Sequence, residues 1–141
     1  MAQQIRELMT PNPVALPGTA SCTEAVPGSA MRDARIGDVI VIQHDQVCGM
    51  VTDRDIVVRT VAERQDPATM TLADICSHSL VTVTPTASVE EAVQLMRTHA
   101  VRRLPVVEGG QAVGIVSLGD LAVERDPGSA LGEISGAPPN T

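Results

Sequence analysis

The chain has 141 residues, a hydrophobic fraction of 43 % and a formal net charge of −7 at pH 7, with no Phe, Tyr or Trp. That length suits one compact domain or two small intimate halves, with a core built from Val, Ile, Leu, Met and Ala. The acidic balance, in which every basic residue is Arg, argues against a phosphate-neutralising surface for nucleic acid, and no apolar run approaches the ~18 residues of a membrane span.

Residues 1–4 are a short polar start, and MAQQIRELMT lacks the apolar core of a secretion signal. Ile5 to Met9 predicts one or two helical turns, stopped by Pro11 and Pro13. Val14 to Leu16 is a strand candidate. Ser21, followed three residues later by Glu24, predicts a helix start, and that helix is expected to reach Arg35 with a break at Pro27-Gly28. Asp38 to Ile42 is a β-branched run, read as a buried strand. His44-Asp45-Gln46 then turns into the strand Val47–Val51. Thr52-x-x-Asp55 has the spacing of a capping box and opens a helix that ends near Arg64. Gln65 to Thr71 is a linker containing Asp66-Pro67.

The second half repeats the order. Leu72 to Cys76 matches Ile5 to Met9, and Leu80 to Val83 matches Pro13 to Leu16. Ser88-x-x-Glu91 opens a helix with Ala92, Leu95, Met96 and His99 at helical spacing. Arg103 to Val107 and Ala112 to Val116 flank a tight Gly109-Gly110 turn. GIVSLGD, Gly114 to Asp120, repeats the pattern of GMVTDRD, Gly49 to Asp55. Met9 and Cys76 stand 67 residues apart, Gly49 and Gly114 65 apart, so the first repeat holds two extra residues, placed around Pro27-Gly28-Ser29. From Pro127 the chain is rich in Pro, Gly and Ser and is expected to be a flexible tail. The expected organisation is a first repeat over 5–64, a linker over 65–71, a second repeat over 72–126 and a tail over 127–141. Each half reads as β-α-β-β-α, an α+β unit that cannot bury both faces of its sheet alone. Two such units related by a pseudo-twofold can.

GMVTDRD and GIVSLGD, with RRLPVV (Arg102 to Val107), the TASVEEAVQLM helix (Thr86 to Met96) and the lead-ins LMTPNPV and ICSHSLV, resemble the cystathionine β-synthase (CBS) domain, here in tandem as a Bateman module. The resemblance covers about residues 5–126. It implies two clefts between the repeats that bind an adenosine ligand: AMP, ADP, ATP or S-adenosylmethionine. Carried over by position, Thr52 and Asp55 serve one cleft and Ser117 and Asp120 the other, with the aspartates on the ribose hydroxyls. Arg54, within the first motif, is the implied phosphate contact, and Val14 and Val81 are the implied adenine walls; Arg102 and Arg103 are further candidate phosphate anchors, with Arg103 placed to serve either cleft. Without aromatic residues, an adenine ring meets only aliphatic groups, backbone or Arg. The resemblance also implies a homodimer of two modules and a regulatory rather than catalytic role, with an unidentified protein partner. The repeats differ: Pro105 stands where the first has Ile40, Arg102 and Arg103 where it has Gly37 and Asp38, and Gly119 where it has Arg54.

Each of these features has a plainer reading. Thr52/Asp55 and Ser117/Asp120 are also what helix capping alone requires. Arg54, Arg102 and Arg103 are also ordinary solvated cations; of the Arg102-Arg103 pair one is expected to face a cleft and the other solvent. Cys76-x-His78 supplies half a metal site at most, and no metal is expected. Cys22, Cys48 and Cys76 lack framework spacing and read as reduced, buried thiols of a cytoplasmic protein. Ser117 has no His nearby in sequence, Asp53 and Asp55 do not face one another, and no glycine-rich nucleotide loop occurs, so no catalytic set is found. A regulatory adenosine sensor and a ligand-free scaffold dimer are the two functions in play.

Overall fold

Both halves of the chain obtain their cores by exchanging lead-in segments. The computed structural model describes residues 3–25, 38–76, 80–125 and 128–137. Its secondary structure is mixed α and β, with two three-stranded sheets, as the α+β tandem-repeat reading requires.

The first sheet runs β2 (Ala15–Pro17), β3 (Asp38–Gln43), β4 (Gln46–Thr52). β2 pairs parallel with β3 and β3 antiparallel with β4, with one irregularity where Val41 faces Gly49 and Ile42 faces Val47. Cys48 is therefore the extra residue of a β-bulge. Val39, Val41 and Val51 bury one face of this sheet with Ala20 and Cys22, the latter in the four-residue helix α1 (Cys22–Ala25). The rest of the expected helix to Arg35, with Pro27-Gly28, lies outside the described residues. β4 passes at Thr52 into α2 (Asp53–Ile56), and a five-residue π turn follows, Val57–Val61, where a regular helix to Arg64 was expected. Thr60 accounts for part of the change: its buried hydroxyl donates to the Ile56 carbonyl, a side-chain bond known to bend helices. Leu72 and Ile75, from α3 (Leu72–Ile75) at the start of the second repeat, complete this core.

The second sheet runs β1 (Thr10–Pro11), β6 (Gln111–Ser117), β5 (Arg103–Glu108). β1 was not foreseen in the sequence. It pairs antiparallel with β6, Thr10 against Ile115 and Pro11 against Gly114. α4 (Val89–His99), capped by Ser88, buries Val89, Ala92 and Met96 on this sheet beside Leu104, Val106 and Val116. α5 (Leu118–Arg125) adds Leu121, and Arg125 pairs with Glu90. Ile5, in a short 3₁₀ turn (Ile5–Glu7), is fully buried here with Leu8 and Met9 packed alongside.

The exchange is reciprocal bond by bond. Ile5 N–H donates to the Ala87 carbonyl at 2.9 Å, and its repeat equivalent Leu72 N–H to Ala20 at 2.8 Å. Arg6 N–H donates to Pro85 and Ala73 N–H to Gly18, each at 2.9 Å. The chain accordingly divides into two compact units that cut across the sequence repeats. One is Pro13–Leu80 with Gly109–Ala112; the other is Met1–Asn12, Val81–Glu108 and Val113–Thr141.

Two further expectations change. Leu80–Val83 was expected as a strand equivalent to β2, but only a single parallel bridge forms, Val83 with Val106. The cause is Pro105: in the first repeat Ile40 N–H donates to the Val14 carbonyl at 2.9 Å, and proline at the equivalent position has no N–H to offer. The composition of 127–141 predicted a flexible tail, yet Ala130–Gly136 form a helix, α6. Ser129 caps it by accepting from Gly132 N–H at 3.0 Å. α6 lies against α5, with Gly136 beside Val123, while Leu131 and Ile134 are exposed.

Candidate functional site

β4 and β6 both end at the start of a helix, and each junction carries one hydroxyl–aspartate pair. Thr52 is in extended backbone as the last residue of β4, so its side chain can reach forward over the first turn of α2. Thr52 Oγ1 accepts from Asp55 N–H at 3.0 Å, and Asp55 Oδ2 accepts from Thr52 N–H at 2.9 Å. The second junction repeats this. Ser117 Oγ accepts from Asp120 N–H at 3.1 Å, and Asp120 Oδ2 accepts from Ser117 N–H at 2.9 Å. Capping is thus fulfilled at both, and all four residues are half-buried. In each aspartate Oδ2 is occupied, and Oδ1 has no donor among the described residues.

A capping box alone does not mark a site. Thr71 and Asp74 form a third, with distances of 3.3 and 3.1 Å, at the start of α3 and away from any strand end. There the Thr71 hydrogen bonds hold the Asp74 carboxyl below its usual range. The boxes at Thr52 and Ser117 differ in sitting at the carboxyl ends of sheet strands, where small ligands gather in α/β structures.

Around these boxes the two junctions diverge. Arg54 is exposed on the first turn of α2, and its guanidinium has no ion-pair partner among the described residues. Asp53 Oδ1 turns back to accept Arg54 N–H at 2.7 Å. Val14 belongs to the same unit, half-buried against that core. Val14, Thr52, Arg54 and Asp55 thus share one unit; Val81, Arg103, Ser117 and Asp120 share the other. Val81 packs half-buried on the second core. Arg103 is exposed at the start of β5 and already engaged by neighbouring groups. Its neighbour Arg102 lines a cleft of about 440 Å³ with Arg97, Met96, Leu118 and Leu121, and the Arg102 carbonyl receives Leu118 N–H at 2.8 Å. Arg97 was not a candidate in the sequence, because a cation in the last turn of a helix is adequately explained by the helix dipole. Asp120 lines a smaller cleft of about 290 Å³ in which Glu7 and Glu124 are also present. Three carboxylates on one cleft disfavour an anion there.

Of Cys76-x-His78, Cys76 is buried and His78 lies outside the described residues. No group of three or more metal-ligating side chains occurs among the described residues. No helix among them is long and apolar enough to cross a membrane.

Comparison with known proteins agrees with this architecture. The CBS domain model matches residues 5–61 and 72–125. CBS domain-containing protein YhcV of Bacillus subtilis (strain 168) is 38 % identical over 135 residues, spanning 93 % of this chain and 94 % of that protein. Hypoxic response protein 1 of Mycobacterium tuberculosis (strain H37Rv) is 39 % identical over 93 residues, 65 % of each chain. A crystal structure of Hypoxic Response Protein I with two coordinated zinc ions is similar at TM-score 0.75 and 32 % identity, covering 86 % of this chain and 98 % of that one. A CBS domain protein from Pyrobaculum aerophilum, solved in complex with AMP, is similar at TM-score 0.75 and 32 % identity, covering 87 % of this chain and 93 % of that one. With two matched segments, a reciprocal exchange of lead-ins and two strand-end capping boxes, the chain belongs to the CBS domain family and carries two CBS domains in tandem.

Proposed function

We propose that this chain is a non-enzymatic regulatory module that binds an adenosine-type ligand, of the class AMP, ADP, ATP or S-adenosylmethionine, and that the Thr52–Asp55 junction is its better phosphate site. The observation that carries the reading is the pairing, on one helix turn, of a half-buried aspartate with one unused oxygen and an arginine without an ion-pair partner among the described residues. A carboxylate oxygen accepts from ribose hydroxyls, and a guanidinium meets phosphate in a bidentate fork. Val14 would wall the base, since this chain has no aromatic ring for it. Ser117, Asp120, Arg103 and Val81 form the corresponding set at the second junction, where Glu7 and Glu124 lower the affinity for phosphate. The AMP-bound relative supports the ligand class. The hydroxyls of Thr52 and Ser117 are occupied by backbone N–H groups, which supports binding over nucleophilic catalysis. A homodimer that signals to a protein partner in the cytoplasm, with its three thiols free, belongs to the same proposal. The second reading, a ligand-free scaffold, is favoured by one fact: both aspartates already serve as caps.

Calorimetric titration with AMP, ADP, ATP and S-adenosylmethionine separates the two. For a sensor, at least one titrates, and Asp55→Asn, which keeps the shape and much of the cap, weakens it by about ten- to a hundredfold, equal to ~1.5–3 kcal/mol. Asp120→Asn has the smaller effect on the phosphate-bearing ligands. If Asp120→Asn abolishes binding while Asp55→Asn leaves it intact, the assignment to the first junction is wrong. A parent that titrates with none of the four is a scaffold, and both boxes are then caps alone.

A further inference from the structure

Cys48 and Cys76 stand with their sulfurs 3.8 Å apart in the core of the first unit. They are 28 residues apart in sequence and arrive from different elements: Cys48 from the bulge of β4, Cys76 from the residue that ends α3. Both positions are backbone irregularities. At the bulge the ladder skips Cys48, which redirects its side chain. At Cys76 the chain leaves the helix in extended conformation, φ −69° and ψ 147°. The two thiols differ in access. Cys48 is half-buried, whereas Cys76 is buried and donates toward the Ala73 carbonyl at 3.9 Å. Burial, reinforced by the hydrogen bond with Cys48, pushes the Cys76 thiol up to about 11, so it stays protonated near neutral pH. The third thiol, Cys22, is fully buried in the same core.

We propose that Cys48 and Cys76 are a modification site that closes into a reversible disulfide when a hydroperoxide oxidises Cys48. The chemistry balances in two steps. Cys48 sulfur takes the terminal peroxide oxygen as the O–O bond breaks, giving a sulfenic acid and, from hydrogen peroxide, one water. Cys76 sulfur then attacks Cys48 sulfur, the S–O bond breaks, and the departing hydroxide takes the Cys76 proton as a second water. Two thiols together lose two electrons and two protons, and the peroxide is reduced. Closure requires the sulfurs to approach from 3.8 Å to about 2.0 Å, a movement that side-chain rotation at two irregular positions can supply. The product ties β4, which ends four residues later at the Thr52 cap, to the segment that follows α3. It crosslinks a 28-residue separation, so it stabilises chiefly by restricting the unfolded chain.

The test uses the full chain and stoichiometric hydrogen peroxide, and its readouts do not depend on nucleotide binding. The three cysteines fall on different tryptic peptides: Glu7–Arg32 holds Cys22, Ile36–Arg54 holds Cys48, and Gln65–Arg97 holds Cys76. The expected result is a monomer lighter by two hydrogens, with Ile36–Arg54 joined to Gln65–Arg97, restored by dithiothreitol and melting several degrees higher than the reduced form. Cys22→Ser retains the bridge, and Cys48→Ser loses it. A bridge to Cys22, a bridge only between two copies, or oxidation of Cys48 to sulfinic acid with no bridge each overturns the proposal. Because the peptide map is made on the parent chain, it decides the matter even where a cysteine variant fails to fold.

Discussion

At the residue scale, small departures from favoured backbone geometry mark where this sequence has room to gain. Ala100 ends α4 with φ 53° and ψ 41°, a left-handed conformation in which a Cβ crowds the adjacent carbonyl. Glycine is the usual residue there. Ala100→Gly is expected to raise the urea midpoint at unchanged slope, a gain of ~0.5–1 kcal/mol, and a lower midpoint would show that the methyl group packs usefully. The hairpin turns make the same comparison inside one molecule. Gly109 and Gly110 take φ of 59° and 81°, while the first repeat meets the same demand with His44 at 52° and Asp45 at 61°. The capping boxes were legible in the sequence at this scale, because the i to i+3 relation of Thr52 with Asp55 and of Ser117 with Asp120 is local. Which of Arg102 and Arg103 lines a cleft was not legible. Cleft walls come from α4 and α5 together, and sequence spacing within β5 says nothing of them.

At the scale of elements, close backbone approach decides what pairs. A Cβ built on Gly114 would lie 2.5 Å from Met9 Sδ and 2.9 Å from the Thr10 carbonyl oxygen. Gly114 therefore admits β1 to the edge of β6. Gly114→Ala is expected to displace β1 and lower stability by ~1–3 kcal/mol, read as a lower melting temperature and faster hydrogen exchange at Thr10. Unchanged exchange there would mean that Met9 alone absorbs the clash. β1 itself was invisible to periodicity: two residues make no pattern, and its partner is remote in the chain. The missing counterpart of β2 at Leu80–Val83 is readable in principle, since Pro105 removes a ladder donor. The repeat pattern alone carries the strand over from the first half and hides that loss.

At the scale of the whole molecule, apolar side chains are exposed among the described residues of both units. In the π turn Val57 is 55 % exposed, Val58 43 % and Val61 66 %, and after the second box Leu118 and Val123 are each 39 % exposed. Each unit thus exposes apolar side chains after its box, of the kind that an oligomer contact covers. Light scattering at micromolar concentration is expected to give a homodimer, twice 14.7 kDa, and Val57→Asp with Val61→Asp to give the monomer. A single 14.7 kDa species from the parent chain would rule the dimer out.

The sequence by itself determined the tandem repeat, the family and the two boxes, because each rests on short-range spacing or on a pattern occurring twice. Only the tertiary structure decided how the repeats share their cores. Ile5 and Leu72 are equivalent residues of equivalent lead-ins, yet each fills the core of the other repeat. Nothing local distinguishes a lead-in that folds back on its own repeat from one that crosses over, since both bury the same apolar side chains. The same limit hid the contact of Cys48 with Cys76. It depends on a bulge in β4 and on where α3 comes to rest, and both are settled by long-range packing.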